Sequence, residues 1–153
     1  MLLYRQGRMA RAADPTEIDA LVANVLEAAG ALRRHGDRQA ANLGQTQARW
    51  QLLSVLSDEP RTVPAAARRL GVSRQAVQRL ADALRDEGYL CDAANPAHAS
   101  SPLFSLTRKG QRALTALTQE NEPWNRVAAE SLDSEDVDTA NRVLRVLVHL
   151  SQS

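Results

Sequence analysis

The 153-residue sequence predicts a mainly α-helical chain that carries one small β-hairpin. Three observations predict it. Apolar residues recur at helical spacing towards both ends of the chain. The middle holds two short helical patterns joined at Gly71, and two short apolar runs flank a stretch of turn formers from Asp92 to Pro102. With 44% apolar residues the chain can bury one core, and no apolar run approaches the length of a membrane span.

Residues 1–13 read as a flexible arm. They hold a two-leucine patch and Arg5, Arg8 and Arg11, far short of the apolar core of a secretory signal, so a cytoplasmic address is expected. Met9 is an alternative start, and arginines in such an arm suit DNA phosphates. Asp14, Pro15 and Glu17 then form a helix start, with an Asp cap, Pro at the first helical position and Glu three residues after the cap. Ile18, Leu21, Val22, Val25, Leu26, Ala29 and Leu32 follow at helical spacing. Gly36 is expected to end this helix, which gives it residues 14–36. A further helix holds Trp50 to Leu56, WQLLSVL.

The stretch from Val63 to Leu90, VPAAARRLGVSRQAVQRLADALRDEGYL, is the most specific part of the chain. Pro64 suits a first helical turn because its missing N–H would be unpaired there. Ala65, Ala66, Ala67 and Leu70 carry that helix to Gly71, which tolerates the left-handed conformation that ends one helix and turns into the next. Ser73 can cap the second helix. Val72, Ala76, Val77, Leu80, Ala81 and Leu84 are expected to form its buried stripe, and Gly88 stops it. Arg74, Gln75, Gln78, Arg79, Asp82 and Arg85 then face outward. Arg and Gln are the side chains that pair bidentately with guanine and adenine in the major groove. Two short helices about a turn glycine, the second lined with such residues, are a helix-turn-helix signature.

After it, Tyr89, Leu90 and Cys91 form one apolar run and Leu103 to Leu106 another, so the chain makes a hairpin wing. Cys91, next to the core, is expected to be a small buried hydrophobe. Thr107 can cap a new helix. Ala113, Leu114, Leu117, Trp124, Val127, Ala128 and Leu132 give one long pattern that Pro123 kinks or divides. Asp133 or Ser134 then caps a last helix striped by Val137, Ala140, Leu144, Leu147, Val148 and Ser151. The stripes at the two ends exceed what a small helix-turn-helix needs to cover.

A net charge of +1 hides a strong segregation. Residues 1–60 balance seven Arg against seven acids. Residues 61–112 hold eight Arg, one Lys and four acids, a balance of +5, and residues 113–153 hold three Arg and seven acids, a balance of −4. Positive charge lies where the helix-turn-helix and hairpin lie, as neutralising duplex phosphates requires. The acidic last third argues against a protein that coats nucleic acid all over.

In TVPAAARRLGVSRQAVQRLADALRDEGYL, the NPAH tip, the LTRKG after it and WQLLSVL, the chain resembles the MarR family of bacterial winged helix-turn-helix regulators over roughly residues 45–118. The resemblance implies one interlocked domain, with a winged helix-turn-helix at 45–110 and dimerisation helices at 14–36 and 111–153. The terminal helices of two chains would pair, so that two recognition helices meet two half-sites about one helical turn apart. The implied function is a homodimeric transcription regulator, most often a repressor, on double-stranded DNA. Gln75, Gln78, Arg74 and Arg79 would give specificity, Ser73 and the helix start would grip a phosphate, and Arg61, Arg68, Arg69 and Arg108 would position the chain. The resemblance also implies a small aromatic or phenolic effector between the dimer helices and the winged helix, near His35, Arg49 and Trp50. The usual wing tip carries arginine, whereas this one reads Asn95 to Ser101 without it. Either His98, Ser100 and Ser101 touch phosphates weakly, or the wing barely contacts DNA.

The alternative is a winged helix used only for protein interaction, which the basic outer face of the second helix opposes. An enzyme is not expected, and no cofactor is implied. One Cys and three His, at 35, 98 and 149, give no metal-ligand spacing, and HExxH, CxxC, GxxxxGK[ST] and GxSxG are absent. The thiol sensors of the family carry their cysteine on the first helix, where this chain has none.

Overall fold

The computed structural model of the chain describes residues 3–5, 8–98 and 100–151. Two compact units divide the chain at Gln47. In the first, β1 (Leu3–Arg5) pairs antiparallel with β2 (Arg8–Ala10), with Tyr4 opposite Met9. Of the arm expected to be flexible, Met1, Leu2, Gln6 and Gly7 lie outside the described residues.

Helix α1 (Pro15–Ala41) begins as its sequence directs. The Asp14 carboxylate accepts from the Glu17 N–H, and the Glu17 carboxylate accepts from the Asp14 N–H at 3.0 Å, a reciprocal capping box with Pro15 in the first turn. Arg11 grips both Glu17 oxygens, at 2.9 and 2.5 Å, and that hydrogen bond holds the Glu17 carboxyl below its ordinary range.

The expectation that Gly36 ends this helix is corrected. Gly36 is buried and helical, and α1 runs on to Ala41. A Cβ at Gly36 would lie 1.9 Å from Gln47 Oε1, so the glycine makes room for the end of that side chain, which a larger residue would displace. The turn falls at Gly44, whose φ of 65° is left-handed. There the Gly44 N–H donates to Ala41 O and the Gln45 N–H to Ala40 O.

The second unit holds most of α2 (Gln47–Val55) and all of α3 (Val63–Leu70), α4 (Arg74–Asp86), β3 (Leu90–Ala93), β4 (Leu103–Leu106), α5 (Arg108–Ser131) and α6 (Ser134–Ser151). A mainly α fold with one small hairpin beyond the helix-turn-helix is therefore borne out. Thr62 Oγ1 caps α3 through the Ala65 N–H, and Gly71 closes it at φ 66°, where the short turn before Ser73 requires it. Val77, Ala81 and Leu84 form the buried side of α4. Val72 is 48% exposed instead of joining them, because it lies between Gly71 and Ser73, outside both helices.

Strand β3 pairs antiparallel with β4 in the register Leu90 to Leu106 and Asp92 to Phe104. Phe104, 2% exposed, also exchanges both backbone hydrogen bonds with Arg61, so β4 is flanked on both edges. Leu90 takes the core side of β3, and strand alternation turns Cys91 outward beside Ser105. Cys91 is thus exposed, not buried as expected. Helix α5 starts under a Thr107 cap and passes Pro123 undivided. The cap of α6 is Asp133, whose carboxylate accepts from the Glu135 N–H at 2.8 Å. No helix among the described residues is long and apolar enough to cross a membrane.

Candidate nucleic-acid interface

The candidate interface is built on the outer face of α4. Val77, Ala81 and Leu84 are buried on one side of α4, while Arg74, Gln75, Gln78 and Arg79 are exposed to solvent. The Ser73 hydroxyl accepts from the Ala76 N–H at 3.1 Å and keeps its own proton free to donate. Arg68, Ser73 and Arg74 line one cleft at the turn, together with Gly71, where the positive end of the helix dipole favours an anion.

A second cleft of about 280 Å³ is lined by Val63, Pro64, Arg74, Gln75, Gln78, Ser100, Ser101 and Pro102. The base of the hairpin loop and the outer face of α4 therefore share one cleft. Asn95, half-buried, shapes that loop. Its Nδ2 donates to Ser101 O at 2.9 Å and its Oδ1 accepts from the Ala97 N–H at 3.0 Å. His98 is exposed at the tip. On the other side of α4, Arg79 borders an apolar hollow of about 220 Å³ with Ala48, Gln51, Leu70, Val72, Ala76 and Leu80.

Arg68, Arg69 and Arg108 are exposed, and Arg108 shares a face of α5 with Arg112, which the motif reading did not single out. An i, i+4 pairing of Arg108 with Arg112 was readable from the sequence. Arg61 is placed differently. Its Nε donates to Val55 O at 2.9 Å, its Nη1 pairs with Glu59 at 2.8 Å, and only 18% of its side chain is exposed. It joins the end of α2 to β4.

Of the three residues named for an effector, His35 is half-buried on α1, in the first unit. Trp50 is half-buried on α2. Arg49 belongs to a cluster at the far end of α4. Its guanidinium pairs with Glu87 and lies 5.6 Å from the Tyr89 ring centroid; Lys109 Nζ lies 4.3 Å from that centroid and donates to Glu87 O at 2.7 Å. The Arg49 hydrogen bond, helped by the Lys109 charge, holds the Glu87 carboxyl below its ordinary range. Among the described residues there is no group of three or more His, Cys, Asp or Glu able to hold a metal ion.

Acidic partners on α4 escaped the motif reading as well. Gln78 Nε2 lies 3.1 Å from both Asp82 oxygens, and Arg85 pairs with Asp82 at 3.2 Å, with Asp86 at 3.5 Å and with Asp92 on β3 at 3.9 Å.

Known proteins share this fold. A family model described as MarR family matches residues 43–99. An uncharacterized protein of Mycobacterium tuberculosis is 48% identical over 132 residues, covering 86% of this chain and 92% of that protein. Among solved structures, a MarR family transcriptional regulator from Streptomyces coelicolor in complex with DNA superposes with a TM-score of 0.76 at 17% identity, over 94% of this chain and 93% of that one. The M. tuberculosis transcriptional regulator MOSR in complex with DNA gives 0.68 at 25% identity, over 86% and 95%.

Proposed function

Because the chain belongs to the MarR family of winged-helix, DNA-binding transcription regulators, we propose that it acts as a cytoplasmic homodimeric repressor reading a pseudo-palindromic operator. The observation that carries this reading is the solvent-facing set Arg74, Gln75, Gln78 and Arg79 on α4, opposite the buried Val77, Ala81 and Leu84. An α-helix fits the major groove, and these side chains reach base edges there while Ser73, Arg68 and the start of α4 hold a phosphate. That the Streptomyces and MOSR structures are DNA complexes supports a duplex as the partner.

Dimerisation is supported by apolar surface that one chain leaves uncovered. On α1, Ile18, Val22, Leu26 and Leu32 are between 38% and 68% exposed; on α6, Val137, Val143, Leu144, Val146, Val148 and Leu150 are between 37% and 65% exposed. Pairing of such helices between two chains would set two copies of α4 about one helical turn apart. The reading extends to a small aromatic or phenolic effector. With only two Trp in the chain, Trp50 and Trp124, quenching by salicylate-like acids followed by operator release tests that part.

Selection of bound duplexes from a random pool tests the main reading. A palindromic motif should emerge. Gln75→Ala and Arg79→Ala should each cost about 1–3 kcal/mol on it and relax preference at separate positions while helix content holds. Equal affinity of both variants and the parent for the selected duplex at fixed salt overturns it.

A further inference from the structure

We propose that Asp82 is a specificity-determining positioning residue: by holding the Gln78 side-chain amide in one orientation, it makes Gln78 a reader of adenine over guanine. The proposal rests on the operator reading above. Gln78 lies on the exposed face of α4, and its Nε2 is 3.1 Å from both Oδ1 and Oδ2 of Asp82, one helical turn on. An ionised carboxylate has acceptors only, so it faces the NH2 and repels the amide oxygen. The terminal torsion of Gln is otherwise broad, and this contact selects one of its two faces.

The chemistry left over is specific. When the Nε2 hydrogen anti to Oε1 is given to Asp82, the other lies on the same edge as Oε1, so that edge offers one acceptor beside one donor. Adenine presents the N6 donor beside the N7 acceptor in the major groove, a two-bond match. Guanine presents N7 and O6, both acceptors. A freely turning amide can swing both its N–H groups towards them. An amide tethered to Asp82 brings Oε1 against O6 instead. Asp82 is itself held, since Arg85 Nη2 lies 3.2 Å from its Oδ1 and also reaches Asp86 on α4 and Asp92 on β3. The carboxylate is thus held by an arginine that Asp92 of the hairpin also engages.

Duplex selection with the full-length chain tests this. One motif position should prefer adenine in the parent and flatten in Gln78→Ala. Asp82→Ala should lower the adenine-to-guanine ratio at that same position by about fivefold or more, the low end of what a bidentate base contact discriminates, and leave other positions alone. The ratio is read independently of any uniform change in affinity when Arg85 is released. Adding Asp82→Ala to Gln78→Ala should change nothing further there. Asp82→Asn, isosteric and retaining one acceptor, should fold normally and fall between parent and Asp82→Ala. An unchanged ratio in Asp82→Ala overturns the proposal, as does loss of a cytosine preference that persists without Gln78, which would make Asp82 a direct reader. A parent chain that selects no motif overturns the operator reading, and the proposal with it.

Discussion

Gly30 and Gly110 both lie within helices, and replacing each with alanine should move stability in opposite directions. Helix propensity alone favours alanine at either site by up to about 1 kcal/mol. At Gly30, on α1, a Cβ meets nothing nearer than Arg34 Nη1 at 3.4 Å, so most of that gain should appear. At Gly110, buried in the first turn of α5, a Cβ would lie 2.1 Å from Tyr89 O, about 1 Å inside an ordinary carbon–oxygen contact of about 3.3 Å. Tyr89 O cannot simply withdraw, because it accepts from the Thr107 N–H at 3.0 Å, and the Thr107 hydroxyl, which donates its one proton to Gly88 O at 2.7 Å, ties down the residue before it. The added Cβ, fixed to the helix backbone, therefore presses on main chain. The cost should sit near the top of the overpacking range of about 1–3 kcal/mol and exceed the propensity gain. Gly110→Ala should then be about 2 kcal/mol less stable than the parent and Gly30→Ala about 0.5–1 kcal/mol more stable. In a chain of this length that separates their melting temperatures by roughly 5–12 °C, at about 2–4 °C per kcal/mol. Urea unfolding followed by circular dichroism, at one fixed protein concentration, gives the midpoints and slopes. A Gly110→Ala midpoint at or above that of the parent, with the slope unchanged, refutes the reasoning.

Arg49 lowers the Glu87 carboxyl from its ordinary 4.5, so their pair contributes stability above that pH and loses it as pH falls through the lower folded value. Glu87→Gln should therefore destabilise at neutral pH and flatten the acid limb of the urea midpoint against pH; identical parent and variant profiles refute the linkage. Deleting everything after Leu132 removes α6 with its exposed Val137, Leu144 and Val148. The proposed dimer should then be absent in sedimentation and operator affinity should collapse; a folded monomer with full affinity for a palindrome refutes the dimer proposal. At the hairpin tip, His98→Arg should strengthen DNA binding and steepen the salt dependence by up to about one unit, whereas an unchanged slope makes the tip a spectator.

The sequence by itself determined what depends on neighbours within one helical turn or on strand alternation. Asp14 with Glu17, Ser73 and Thr107 cap the helices they were expected to cap, Gly71 turns left-handed between α3 and α4, and Leu103 to Leu106 pairs back on β3. These are local preferences, written in residue type and spacing. Most of the outward set on α4 was legible from the apolar period: Arg74, Gln75, Gln78 and Arg79 are exposed as expected, whereas Asp82 and Arg85 are half-buried.

Tertiary structure decided what depends on residues distant along the chain. Gly36 reads as a helix stop, but the Gln47 side chain lies against it and glycine serves closeness there, so the turn moved to Gly44. Arg61 reads as a phosphate contact, yet Val55 O, Glu59 and the backbone of Phe104 engage it. Arg49 is held by Glu87, which lies 38 residues away. Even the Asp82 contact, four residues from Gln78, depends on packing, because an i, i+4 spacing permits a hydrogen bond while the rotamers and Arg85 select it. Periodicity says which side of an element faces in. Only the packed chain decides which long polar side chains find partners within the protein and which stay open to DNA.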